Sequence, residues 1–119
     1  PHIFGDENRI KQVLINLLDN AFKFTSENGK IAFSAMEKDG FIIICVEDNG
    51  SGIPSEDLPY VKDKFYKGKS SKSKNGLGLS ISDEIVKLHN GKIEIESEVG
   101  VGTKVCVWLP CDKEGGSVL

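Results

Sequence analysis

Four polar residues share one flank of an otherwise apolar segment near the start of this 119-residue chain. Within "NRIKQVLINLLDNAFKFT", Gln12, Asn16, Asn20 and Lys23 fall at i, i+4, i+8 and i+11, which puts them on one face of a helix. Carboxamide oxygens are neutral, hard ligands that suit Mg²⁺, an ion that takes much of its shell from water and phosphate. A lysine one turn further along would meet the phosphate charge. Three more stretches have chemical potential. "VEDNGSGI", residues 46–53, ends an apolar run with the carboxylate of Asp48 and follows it with Gly50 and Gly52, where backbone can approach a flat ligand closely. An ionised Asp48 only accepts hydrogen bonds, which suits an exocyclic amine such as adenine N6. "NGLGLS", residues 75–80, frees the backbone at Gly76 and Gly78 where a helix begins, and a helix N-terminus offers unpaired N–H groups to an anion. "GVGTKV", residues 100–105, turns at Gly102 and presents the Thr103 hydroxyl, placed to join Asp48 around a bridging water.

Taken singly, each stretch also has a plain structural reading: a solvated helix stripe, a D-N-G turn, a Gly-rich loop and an ordinary hairpin. The loop before "NGLGLS" carries Lys62, Lys64, Lys67, Lys69, Lys72 and Lys74, a basic cover able to fold over phosphates or simply a solvated run. "GKSS" at 68–71 is not a phosphate-binding P-loop, because the required first glycine falls at Asp63 and no strand leads into it. No Gly-rich turn joins a first strand to a helix, so a Rossmann fingerprint is absent as well.

The elements that must position these residues are legible from periodicity. Ile10, Val13, Leu14, Leu17, Leu18 and Ala21 give an apolar helical stripe over Asp6–Thr25, with Asp6 as N-cap and "SENG" closing the helix. "KIAFSAME" and "FIIICVED" read as strands joined at Asp39-Gly40, a strong hairpin signal, with the second strand central and covered on nearly both faces. From Asn49 to Asn75 periodicity is lost apart from a short helix near Glu56–Lys64. Leu79, Ile81, Ile85, Val86 and Leu88 mark a second amphipathic helix that ends at Asn90-Gly91. "KIEIESE" and "TKVCVWLP" form a second hairpin, and a polar, Gly-rich tail over 111–119 is expected to fray. The order predicts an α+β, two-layer sandwich: a mixed, mostly antiparallel sheet on about three helices, as one domain over 1–110.

Composition sets the outer limits. A hydrophobic fraction of 39% with 28% charge is that of a globular domain. A net charge of −3 gives no global basic signature, so nucleic acid is not an expected partner. Cys45, Cys106 and Cys111 are odd in number and lack CxxC spacing, which predicts reduced thiols rather than a disulfide framework or a zinc site. No apolar run is long enough to span a bilayer, and the abrupt start "PHIFGDENR" reads as part of a longer protein.

The motifs are modest singly, but their order and spacing are specific. An amide-bearing helix, DxGxG, a Lys-rich loop with "KFYKG", GLGL and GxGT together resemble the catalytic ATP-binding domain of two-component sensor histidine kinases. That domain belongs to the superfamily shared with gyrase, Hsp90 and MutL. The resemblance runs from about Asp6 to Pro110 and implies a Bergerat-type fold with a flexible ATP lid. It implies Mg²⁺ coordination by Asn20 with help from Asn16, phosphate contact by Lys23, and Phe24 against the nucleotide where tyrosine is frequent. Asp48 takes the adenine amine in this comparison, Gly50, Gly52 and Ile53 shape the pocket, and Thr103 closes the adenine side. Phe65 and Tyr66 anchor the lid, Lys67 stands where many members place a phosphate-reaching arginine, and Gly76, Leu77, Gly78 and Leu79 form the second glycine box. Lys67 keeps the charge of that arginine but lacks its bidentate fork. Lys74-Asn75 replaces the more usual Gly-Thr.

The implied cofactors are ATP and Mg²⁺, and the implied reaction is transfer of the γ-phosphoryl group to a histidine. The implied partners are a histidine-bearing dimerisation domain of the same full-length protein and a response regulator receiver domain. The domain itself is expected to be soluble and cytoplasmic, with membrane anchoring of the whole protein left open. Hydrolytic relatives and anti-sigma serine kinases typically carry glutamate four residues before the metal-binding asparagine, as a base for a weakly acidic hydroxyl. Here that place holds Asn16, which favours a histidine acceptor, since an imidazole with a pKa of about 6.5 is largely neutral and nucleophilic at pH 7. An anti-sigma-type serine kinase and a catalytically inactive nucleotide-binding scaffold are the alternatives. His2 lacks the acidic neighbour of a phosphoacceptor motif and His89 ends a helix, so neither reads as the acceptor.

Overall fold

The computed structural model describes residues 2–3, 6–25, 29–62 and 79–112. Helix α1 spans Glu7–Phe24. The Asp6 carboxylate caps it, accepting from the Arg9 N–H at 3.2 Å, and Glu7 adds favourable charge in the first turn. Ile10, Val13, Leu17 and Ala21 are buried, with Leu14 and Leu18 packed at their margins, so the expected stripe is the core face.

The first hairpin joins β2 (Ile31–Lys38) to β3 (Phe41–Asp48); a short strand β1, His2–Ile3, precedes α1. Asp39 (φ 53°) and Gly40 (φ 82°) both take the left-handed conformation that a two-residue type I′ turn demands. Helix α2 covers Leu79–Leu88, and the second hairpin joins β4 (Lys92–Glu98) to β5 (Gly102–Asp112). Every strand pairing is antiparallel, in the order β2-β3-β5-β4, with β1 against the far end of β5. β3 is central, as expected, and residues 43–46 are buried. The last strand runs through Asp112, two residues past the Pro110 boundary, because the Cys111 N–H still finds the Gly40 carbonyl at 2.9 Å.

The layers meet along alternate residues. Val46 of β3, Val105, Val107 and Leu109 of β5, and Ile93 of β4 face α1 and α2 and form one core with them. α2 ends in a Schellman motif: the Gly91 N–H reaches the Val86 carbonyl, the Asn90 N–H reaches Lys87, and Asn90 sits at φ 62°. His89 then ties the helices together. Its Nε2 accepts from the Asp6 N–H at 3.0 Å, so its Nδ1 donates to the Ile85 carbonyl at 2.8 Å.

Three expectations need correction. The described residues contain two α-helices rather than three, and where a helix is expected near Glu56–Lys64 the described part, through Lys62, is a turn followed by a 3-10 segment, Leu58–Tyr60, where Pro59 removes a helical donor. The inward face of α2 is not its full apolar set: Ile81 and Leu88 are exposed, and Ser82 and Asp83 take interior positions with Leu79, Ile85 and Val86. The thiols are not all reduced. Cys45 and Cys106 sit directly opposite on β3 and β5, 4.1 Å apart at Cα, and are joined as a disulfide, leaving Cys111 free. Sequence spacing could not show this, because the two half-cystines are 61 residues apart and only the sheet register brings them together. The expected lid, with Phe65, Tyr66 and Lys67, lies outside the described residues. Among the described residues no helix is long and apolar enough to cross a membrane.

Alkylation of the native oxidised protein without reductant should label Cys111 alone. Reduction should then expose Cys45 and Cys106 and lower unfolding stability by about 2–4 kcal/mol, as expected for so long a closed loop. Mass spectrometry that finds three accessible thiols in air-oxidised protein would reject the bridge.

Candidate functional site

The register of the sheet brings its three polar residues of interest to one level. Asp48 at the end of β3 is paired with Thr103 at the start of β5, and Thr103 is paired with Ser97 of β4. All three continue the helix-facing rows formed higher up by Val46, Val105 and Ile95, so they lie at the mouth of the core rather than on the open sheet face. α1 approaches from the other side. A cleft results, with Asp48, Thr103, Val46 and Val105 on the sheet wall, Leu17, Asn20 and Ala21 on the α1 wall, and Gly52, Ile53 and Leu79 completing it.

Asp48 is half-buried, and its Oδ1 accepts from the Gly50 N–H at 2.8 Å, which starts the loop that follows β3. Burial pushes its carboxyl pKa upward; backbone N–H groups of Gly50 and Thr103 oppose this, and the Glu47 charge adds to it. The loop folds back over the strand ends. Gly52 sits at φ 78° with its Cα so close to the Glu98 backbone that any Cβ would strike the Glu98 carbonyl. The Ile53 N–H donates to Ser97 Oγ at 2.7 Å, and the Gly100 N–H donates to the Ser51 carbonyl at 3.0 Å.

Ser97 is a site residue that the motif reading missed. Its hydroxyl accepts from Ile53, donates to the Gly102 carbonyl at 3.0 Å and lies 2.7 Å from Thr103 Oγ1, so it fixes both the loop and the threonine. One signal was available: in "KIEIESE" the inward phase reads Ile93, Ile95, Ser97, a polar residue on the apolar beat.

On α1 the amide stripe divides. Gln12 and Lys23 are exposed. Asn20 is 8% exposed, and its Nδ2 is buried without a hydrogen-bond partner among the described residues. Asn16, one turn earlier, is half-buried and donates through Nδ2 to Ser82 Oγ of α2 at 3.1 Å. Phe24 lies in the last turn of the helix. Phe65, Tyr66, Lys67, Gly76, Leu77 and Gly78 lie outside the described residues; Leu79, buried at the start of α2, lines the cleft.

An orphaned amide donor in a cleft costs free energy unless a ligand meets it. A carboxamide can also present its oxygen by rotating about its last bond, with no change of shape. The donor set therefore fits Mg²⁺ held mainly by phosphate and water: two neutral amides one turn apart, and no group of three His, Cys, Asp or Glu among the described residues to cage a metal alone.

A family model described as "Histidine kinase-, DNA gyrase B-, and HSP90-like ATPase" matches residues 5–113. The chain belongs to this family. It is 41% identical over 113 residues to the sensor histidine kinase YclK of Bacillus subtilis, covering 91% of this chain and 24% of that protein. The chain thus spans about a quarter of that relative's length. Among solved structures, the nucleotide-free catalytic domain of histidine kinase ThkA superposes with a TM-score of 0.78 at 36% identity, over 89% of this chain and 69% of that one. Full-length ShkA in complex with AMPPNP superposes with a TM-score of 0.77 at 30% identity, over 91% of this chain and 22% of that one. The expected fold class is that of these catalytic domains.

The raised pKa of Asp48 has a defined consequence for the ligand-free protein. Between the ordinary value of 3.8 and the raised one, the folded chain holds the Asp48 proton while the unfolded chain has released it. This contribution to stability is therefore full at low pH and is lost as pH rises through the raised value. Urea unfolding across that window should show Asp48→Asn gaining stability relative to the parent as pH increases. An unchanged difference between the two proteins across the window would contradict it.

Proposed function

We propose that this chain binds Mg-ATP in the cleft between α1 and the ends of β3 and β5. There it donates the γ-phosphoryl group to a histidine on a separate dimerisation domain of a longer sensor protein, which passes it to a response regulator. The observation that carries the reading is the convergence of Asp48, Thr103 and Asn20 on one cleft with an apolar floor. A flat base needs apolar surfaces and one strong acceptor for its amine, and the half-buried Asp48 carboxylate supplies the acceptor. Thr103, fixed by Ser97, offers a hydroxyl on the same side. The analogue bound by ShkA and the kinase relatives support ATP as the nucleotide.

At the other end, Asn20 and Asn16 would hold Mg²⁺, which when bound neutralises charge on the phosphate oxygens. Lys23 stands in the last turn of α1 to meet the same charge, and Leu79, the first residue of α2, lines the cleft. These groups position the nucleotide and stabilise charge, which is most of what phosphoryl transfer requires. In the transfer, the lone pair of a neutral histidine nitrogen forms the N–P bond as the bond from γ-phosphorus to the bridging oxygen breaks, releasing ADP. No side chain has to remove a proton before attack, which is consistent with an amide at position 16 rather than a carboxylate.

Titration with a non-hydrolysable ATP analogue should show binding strengthened by Mg²⁺. Asp48→Asn should weaken it roughly 10- to 100-fold, the range of a lost charge-assisted hydrogen bond. With γ-labelled ATP the isolated chain should stay unlabelled, while a histidine-bearing helical hairpin from the same full-length protein, added in trans, should take up label. Affinity for nucleotide that survives Asp48→Asn intact, or label on the chain itself, would count against the assignment.

A further inference from the structure

Ser82 is fully buried, yet it stands on the inward face of α2 where the helix could have carried a small apolar residue. Its Oγ accepts a hydrogen bond from Asn16 Nδ2 at 3.1 Å, across the α1–α2 contact. A carboxamide is nearly symmetric in shape but not in chemistry. Its oxygen ligates a cation; its NH₂ group repels one. With Nδ2 engaged by Ser82, the oxygen of Asn16 is the end left over, and among the described residues no hydrogen-bond partner takes it.

We infer that Ser82 is a positioning residue for the metal–phosphate end of the cleft. It anchors the Asn16 side chain through Nδ2, which leaves the amide oxygen as the free end for a cation on the stripe shared with Asn20. Ser82 does not touch the ligand itself; it acts through Asn16. The inference rests on the Mg-nucleotide reading of the cleft and assigns a determinant of it to the second helix. It also gives the α1–α2 contact a role beyond packing: a displacement of α2 relative to α1 changes how a group on α1 meets the metal.

The experiment is a binding titration of a non-hydrolysable ATP analogue, with and without Mg²⁺, on four proteins: the parent, Asn16→Ala, Ser82→Ala and the double variant. Alanine suits both helix interiors, and thermal melts check that each variant is folded. Ser82→Ala should leave Mg²⁺-free affinity within about 2-fold and cut the Mg²⁺ enhancement roughly 3- to 10-fold, the scale of one neutral hydrogen bond. In the Asn16→Ala background the same change should have no further effect on that enhancement. An enhancement unchanged by Ser82→Ala, an equal loss with and without Mg²⁺, or additive effects in the double variant would each overturn the inference. Asp48→Asn, run in parallel, separates the two levels of the argument. If it abolishes binding while Ser82→Ala preserves the enhancement, only the role of Ser82 fails; if it leaves binding intact, the nucleotide reading fails with it.

Discussion

The pairing of β3 with β5 is the constraint on which the rest of the structure depends. A strand that slips by one residue turns every side chain to the opposite face of the sheet. Here a slip would carry Asp48 out of the cleft and into the open sheet face. The residues that prevent it lie further up the same strands: Ile42 and Val46 on β3, and Val105, Val107 and Leu109 on β5, which must face the helices to be buried. The placement of a carboxylate is thus enforced by the burial of aliphatic residues on the same strands. Thr103 and Ser97 inherit their positions from the same alternation, through Val105 on β5 and Ile95 on β4.

Polar groups inside this core are costly unless partnered, and most of them are partnered. Ser97 satisfies the Ile53 N–H and the Gly102 carbonyl. Ser82 and Asn16 meet each other. Asp83 is held by Lys87 at 2.9 Å and by Lys62 at 3.6 Å, and Lys62 also reaches the Ile93 carbonyl at 3.3 Å. Among the described residues, buried side-chain atoms without a hydrogen-bond partner are Asn20 Nδ2, Thr25 Oγ1, Trp108 Nε1 and the ion-paired Asp83 Oδ1, and of these residues only Asn20 lines the cleft. Asp48 carries a related cost, an acceptor withdrawn from water before any ligand arrives. A polar group held in place but left short of partners is one that a ligand can meet without reorganisation.

The sequence made the periodic elements legible because hydrophobic burial imposes its own spacing. The α1 stripe, the Asp39-Gly40 turn and the alternating strands follow from that rule; Asn20, Asp48 and Thr103 are singled out by motif and resemblance instead, and the fold brings them to one cleft. Three things escaped for physical reasons. Ser82 and Asp83 occupy core positions because they have partners on other elements, and periodicity counts only apolar residues. Ile81 and Leu88 looked like core, but the angular position of a residue on a ten-residue helix decides its burial more than its hydropathy does. Ser97 and the two bridged cysteines depend on strand register, which is a long-range property.

The Cys45–Cys106 bridge shows how far such a long-range property can reach. The covalent loop it closes holds the loop after β3, α2, β4 and the whole segment between Lys62 and Leu79. Bringing the ends of a loop of this length together costs roughly 4 kcal/mol of chain entropy in the unfolded state, and the bridge removes most of that cost. Asp48 and Thr103 lie three residues beyond the two cysteines, on the same strands and in the same register. The crosslink therefore fastens the strand pair close to the point where the cleft needs it fixed. Its sulfurs lie on the opposite side of the sheet from the Asp48–Thr103 pair, because three residues along a strand reverse the face. The bridge can hold the register of the cleft without occupying any of its space.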